Sequence, residues 1–185
     1  MAGNIKAMED RRLAAIMFTD IVGYTELMGR NEDKAFQLLR KNRNIHKPLI
    51  KKYRGQFLKE MGDGILASFP SSSDAVGCAR EIQESAKKEE IKLRIAIHEG
   101  EVVFEGGDVL GDGVNVASRL EALSKEGSIS VSGAVYKNIK NKSGITSKFI
   151  EEKDFKNVDE PVKVYEVVCE DIGIVDDIKL EKHKD

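Results

Sequence analysis

The sequence predicts an α+β domain: a ferredoxin-like βαββαβ core with extra strands and helices appended. Three observations point there. Short apolar runs alternate with amphipathic helical stretches in the order β-α-β-β-α-β. A glycine-flanked turn, Gly62-Asp63-Gly64, joins the two middle runs, and neither an internal repeat nor a low-complexity linker interrupts the series.

Leu13 to Phe18 (LAAIMF) is an unbroken apolar run, the pattern of a strand buried on both faces. It runs into Thr19-Asp20 and then Gly23. Phe36, Leu39, Leu49, Ile50 and Tyr53 recur at helical spacing. Pro48 lies inside that pattern and predicts a kink or break, and Gly55 ends it. Phe57 to Met61 and Ile65 to Phe69 flank the tight turn as a hairpin. Ser71 with Asp74 three residues on marks a helix start, continued by Ala75, Val76, Ala79, Ile82 and Ala86.

Ile91, Leu93, Ile95 and Ile97 alternate with Lys92, Arg94, Ala96 and His98 as a half-buried strand, with Glu101 to Phe104 expected as its hairpin partner after Gly100. Val114 to Leu123 and Ala134 to Ile139 read as helices. Ser128 to Val131, Phe149 to Glu152 and Val162 to Val168 read as strands. Because sheet neighbours follow the ferredoxin-like plan, the helices are expected on one face of an antiparallel sheet.

The 185 residues suit one domain, expected over residues 11–170, between a polar segment at 1–10 and a charged tail at 171–185. Hydrophobic residues at 41% and charged residues at 34% are ordinary for a soluble globular chain. A net charge of −2 argues against a nucleic-acid binder. Arg40, Lys41, Arg43, Lys47, Lys51, Lys52 and Arg54 make one helix locally basic, but no aromatic platform accompanies them, so a solvated face is expected. Cys78 and Cys169 lack metal-ligand spacing and read as small core residues in a reducing compartment. No run approaches the ~20 apolar residues that span a bilayer, so the segment inserts in no membrane and a cytoplasmic location is the default. A catalytic piece of a longer, membrane-tethered parent fits the same facts.

Two carboxylates stand out. Asp20 ends the first buried run and Asp63 sits at the hairpin tip. In a ferredoxin-like sheet these elements are neighbours, so the carboxylates can converge on hard cations such as Mg²⁺, which takes one or two carboxylates plus substrate phosphates. Turn capping by Asp20 and hairpin geometry at Asp63 account for the same residues without a metal.

The surroundings add to this. FTDIVGYT at Phe18–Thr25, KEMGDGILASF at Lys59–Phe69 and DVLGDGVNVASRLEA at Asp108–Ala122 follow in order. Together these blocks resemble the signature of class III adenylyl/guanylyl cyclase catalytic domains, over residues 11–169. The resemblance implies the class III nucleotidyl cyclase fold of a bacterial-type adenylate cyclase that converts ATP to 3′,5′-cyclic AMP and pyrophosphate. It implies two divalent ions, Mg²⁺ or Mn²⁺, held by Asp20, Asp63 and the Ile21 carbonyl. It assigns Lys59 and Asp108 to the purine, Asn115 to the ribose and Arg119 to the transition-state phosphate, with Lys156 near a basic position that contacts the triphosphate.

The chemistry agrees. Adenine pairs an acceptor with an amino donor, which a lysine and a carboxylate match. Asn115 and Arg119, four apart, share a helix face, and arginine suits charge building on phosphate. One departure is Glu101, where a cyclase subunit can carry a phosphate-contacting arginine. His98 reads as a packed strand histidine, not a general base.

The resemblance further implies a homodimer with shared active sites, one subunit supplying Asp20 and Asp63 and the other Lys59, Asp108, Asn115 and Arg119, and a regulatory domain in a longer parent chain. Two alternatives stand beside ATP cyclisation: a guanylate or dual-specificity cyclase, and a silent cyclase-like module that dimerises or senses a nucleotide. Gly106-Gly107-Asp108 matches only the start of a GGDEF motif, and Asn141-Lys142-Ser143 is a sequon only in a secreted chain.

Overall fold

The computed structural model describes residues 10–169. The expected segments at 1–10 and 171–185 fall outside it, apart from Asp10, which begins the first strand. One eight-stranded sheet runs through the molecule, from β1 (Asp10–Ile21), β2 (Gln56–Met61), β3 (Gly64–Phe69), β4 (Leu93–Glu105), β5 (Asp108–Leu110) and β6 (Ile129–Ser132) to β7 (Thr146–Lys153) and β8 (Val162–Val168). The order is β2-β3-β1-β4-β6-β8-β7, with β5 on β4, and only the β4–β6 pair is parallel. Strands β2-β3-β1-β4 are the expected ferredoxin-like core.

Five helices join them: α1 (Tyr24–Arg30), α2 (Glu32–Lys52), α3 (Ser72–Lys88), α4 (Asp112–Leu123) and α5 (Gly133–Ile139). They do not lie on one face, as the sequence suggested. Ala15 and Met17 of β1 pack in a cluster with Ile50 of α2, Ile82 of α3 and Val135 of α5. Ala14, Ile16 and Phe18 face the other way and pack with Ala117 of α4. The physical reason is in the LAAIMF run itself: residues 14–18 are apolar on both sides of the pleat, so both faces need cover. Leu13 is the exception, 64% exposed.

Several local expectations change. Helix α2 passes through Pro48 without a break, because the side chains on either side of it, His46 and Ile50, are buried against the sheet and hold the turn. Residues 24–30 form a helix that apolar spacing did not signal, since it buries no residue. Glu101–Phe104 is not a hairpin partner of Ile91–Ile97. Leu93–Ile97 and Glu101–Phe104 both belong to the single long strand β4, paired with β1 from Leu93 to Phe104, which leaves Gly100 inside the strand. The hairpin forms one segment later, across Gly106 (φ 57°) and Gly107 (φ 81°), where positive φ favours glycine. Ser71 caps α3 as expected, accepting from the Asp74 N–H at 3.2 Å. Cys78 is buried, but Cys169 is exposed and not a core residue.

Three basic residues of α2, and Arg54 just beyond it, are ion-paired. Arg43 grips Glu60 through two bonds of 2.6 and 2.8 Å, Lys41 meets Glu89, Lys52 meets Glu81 and Arg54 meets Asp74. No helix of the described residues is long and apolar enough to cross a membrane.

Candidate active site

The last residues of β1 and the tip of the β2–β3 hairpin meet. Pairing of β1 with β3 brings Thr19 opposite Ile65, and Gly64 lies so close that a Cβ there would come within 3.1 Å of the Thr19 carbonyl oxygen. Glycine at 64 is therefore what lets the tip close on the strand end. There the Ile21 N–H donates to Asp63 Oδ2 at 3.0 Å. Of the residue pair expected to converge, Asp63 is thus fixed beside Asp20 by the backbone of the next residue.

Thr19 is anchored from the other side. His46 Nδ1–H donates to the Asn42 carbonyl at 2.8 Å, which leaves Nε2 as an acceptor for the Thr19 hydroxyl at 3.0 Å. His46 is fully buried, and burial pushes its pKa down to about 4. The neutral ring ties α2 to the strand end that carries Asp20.

Around the carboxylates sit two residues to which sequence reasoning assigned no role. Arg94 lies opposite Asp20 in the β1–β4 register and donates to Asp20 Oδ2. Its Nε is 3.5 Å from Glu121 Oε1 of α4. The alternating pattern of β4 marked Arg94 only as polar. Glu121 stood in the third signature block, two residues after Arg119, but which way it points depends on where α4 docks. Asp63 is raised to about 6 by burial, by hydrogen bonding with Asp20 and by the Asp20 charge. Glu121 is raised to about 7 by burial and by the Asp20 charge, against the lowering effect of Arg94.

Three carboxyl groups thus share one guanidinium, and the surplus of negative charge suits a cation. Among the described residues no three His, Cys, Asp or Glu side chains form a closed metal cage. The donor set fits ions such as Mg²⁺ or Mn²⁺ that take few protein ligands and complete their shells with water and phosphate.

The remaining expected residues lie in two further places. Lys59 Nζ meets the Asp108 carboxylate at 2.9 Å, joining β2 to β5 and holding that carboxyl below its usual range. Asn115 and Arg119 lie on α4, whose start is seated against β4. There a Cβ on Gly113 would come within 3.1 Å of Val102 Cγ1 and 3.5 Å of the Gly100 Cα. Arg119 donates to the backbone carbonyl of Lys156, which brings that loop residue to Arg119 through its main chain. Residues 119 and 121 are separated by about 200° around a helix of 3.6 residues per turn. The side of α4 that meets Arg94 is therefore not the side that carries Arg119.

Glu101 pairs with Arg11 at 3.2 Å on the surface. His98 contacts the Ser132 hydroxyl at 2.7 Å and is lowered to about 4 by burial, as a packed histidine should be. Cavities of about 1230 and 910 Å³ lie elsewhere, and none of Asp20, Asp63, Lys59, Asp108, Asn115 or Arg119 lines either. The candidate groups fall into separate clusters: Asp20 and Asp63 with Arg94 and Glu121, Lys59 with Asp108, and Arg119 with the Lys156 carbonyl.

Comparison with known proteins shows the family and the fold. The family model described as the adenylate and guanylate cyclase catalytic domain matches residues 7–167. An adenylate cyclase of Streptomyces coelicolor is 32% identical over 136 residues, 72% of this chain and 35% of that protein. The chain spans between 17% and 38% of the length of the adenylate cyclases it matches. A solved adenylate/guanylate cyclase/hydrolase from Silicibacter pomeroyi superposes with a TM-score of 0.76 at 37% identity, covering 86% of this chain and 98% of that one. The adenylyl cyclase CyaB from P. aeruginosa gives a TM-score of 0.76 at 26% identity, covering 86% of this chain and 95% of that one. With the fold, the three signature blocks and the clustered aspartates in agreement, the chain belongs to the adenylate and guanylate cyclase catalytic domain family.

Proposed function

We propose that this chain is an adenylate cyclase that closes ATP into 3′,5′-cyclic AMP, working as a homodimer with two shared sites. The observation that carries the reading is the meeting of Asp20 and Asp63 at one sheet edge, apart from the purine-matching pair Lys59–Asp108.

Asp20 and Asp63, with the Ile21 carbonyl, would hold two Mg²⁺ or Mn²⁺ ions. Bound there, these supply the Lewis acidity that activates the ribose 3′-hydroxyl and neutralises the triphosphate. Lys59 donates to a ring nitrogen of adenine and Asp108 accepts from its amino group; a guanine carbonyl at that place would face a carboxylate. Asn115 orients the ribose. Arg119 stabilises the charge that builds as the 3′-oxygen bonds to the α-phosphorus and the bond to the β-phosphate oxygen breaks. Pyrophosphate leaves, and the hydroxyl proton passes to substrate or water. Lys156 would add positive charge near the triphosphate.

Geometry supports the dimer. Lys59 is four residues from Asp63, about 13 Å along a strand, and Arg119 points away from the metal carboxylates of its own chain. A twofold partner brings each half-site to its complement. Exposed Met61 and Leu110, each two residues from a member of the Lys59–Asp108 pair, supply apolar surface for such a contact.

The decisive experiment is incubation with ATP or GTP plus Mn²⁺, with the cyclic product identified by mass. Cyclic AMP formed in preference to cyclic GMP supports the reading. Preference for GTP selects a guanylate cyclase, and no product from the dimeric protein selects a silent module.

A further inference from the structure

We propose that Arg94 is a positioning residue that holds Asp20 while the metal carboxylates are empty and hands over to Glu121 when a divalent ion binds. The inference rests on the reading of Asp20 and Asp63 as metal ligands. It adds a step on this chain's own residues: a cation must first displace a guanidinium.

Arg94 stands between two acceptors and satisfies only one. It donates to Asp20 Oδ2 through one terminal nitrogen, Nη2. Its Nε points at Glu121 Oε1 from 3.5 Å, and both of these atoms are buried and without a hydrogen-bond partner. Orphaned buried polar atoms are costly, and here the two orphans face each other across a gap that a small shift of one side chain closes.

The reason they stay apart is the pull of Asp20. Arg94 keeps Nη2 on Asp20 Oδ2, and its Nε stops 3.5 Å short of Glu121 Oε1. A divalent ion on Asp20 removes that pull and repels the guanidinium. Arg94 then completes its bond to Glu121 and both orphans are satisfied. The throw is short, because Asp20 and Arg94 are direct register partners on adjacent strands and Glu121 sits on the helix above them.

The test is Mn²⁺ binding to the protein without nucleotide, read from the loss of the free-ion EPR signal. Asp20→Asn serves as the control that identifies the site. Arg94→Met is expected to tighten Asp20-dependent binding by about fivefold or more, the lower end of ordinary coupling between sites. Glu121→Leu is expected to weaken binding in the wild-type background by a larger factor than in the Arg94→Met background, because only in the former does it remove Arg94's second seat. A purely electrostatic Glu121 gives equal losses in both backgrounds, or a smaller loss where Arg94 screens it; either result overturns the proposal, as does unchanged or weaker binding by Arg94→Met. Absence of Asp20-dependent Mn²⁺ binding in every protein overturns the metal reading itself.

A second measurement needs no variant to bind metal. In ¹⁵N-arginine-labelled wild-type protein, Mg²⁺ is expected to shift the Arg94 Nε–H resonance downfield and slow its exchange, with Arg94→Lys providing the assignment. An Nε–H resonance that Mg²⁺ leaves unmoved overturns the hand-over.

Discussion

Mixing two inactive variants tests the shared site. Asp20→Ala removes one of the two carboxylates proposed to hold metal, and Arg119→Ala removes the guanidinium proposed to face the phosphate. Loss of one charge-stabilising donor costs about 10²–10³ in kcat, so each variant alone should retain about 1% of wild-type activity or less. If the two half-sites belong to different chains, a heterodimer has one site carrying both defects and one site carrying neither. Random reassortment of equal amounts makes about half the dimers mixed, each with one of two sites intact, so activity should return to about a quarter of wild type. The assay is cyclic AMP formation with Mn²⁺ after subunit exchange, on heterodimer isolated through two different affinity tags. Isolated heterodimer should reach about half of wild type by the same reasoning. Verified heterodimer with activity no higher than its parents would refute the placement of Asp20 and Arg119 in one site built from two chains.

Lys59→Glu should raise the ratio of GTP to ATP turnover by about tenfold or more, since a carboxylate accepts from the ring N–H and amino group of guanine; paired kcat/KM measurements check it. His46→Gln should remove a pH-dependent part of stability. The ring binds its proton with a pKa near 4 when folded and near 6.5 when unfolded. Between those values the unfolded chain holds more protons, so its contribution is full above about 6.5 and is lost as pH falls toward 4. That window is worth about 3 kcal/mol, read as the difference in urea midpoints between wild type and variant at pH 7.5 and pH 4.5. Leu120→Ala empties a fully buried position between Arg119 and Glu121, where it packs with Ala96 and Val164. It should cost about 2–5 kcal/mol of stability by denaturant unfolding, and it should weaken activity by loosening α4.

Much of the fold was legible in local pattern. Residues 162–168 match their strand end to end, and Ser71 with Asp74 marked the start of α3, because caps and apolar periodicity are properties of neighbouring residues. The failures were non-local. Gly100 reads as a turn, but pairing with β1 along its length keeps it in strand; Pro48 reads as a break, but buried His46 and Ile50 hold the helix. The buried side of α2 also carries Asn42 and His46, polar residues that a search for apolar spacing passes over.

The family and the groups expected to act were readable from residue order, because each signature block is contiguous and its residue types carry their chemistry wherever they fold; Arg94, outside those blocks, and Glu121 were not among those groups. Only the tertiary structure decided which groups meet: Asp63 with the Ile21 amide, Lys59 with Asp108, and Arg94 between Asp20 and Glu121. These contacts join residues tens of positions apart through strand register and helix docking. Register is set by the summed burial of both sheet faces, a quantity that no single segment contains.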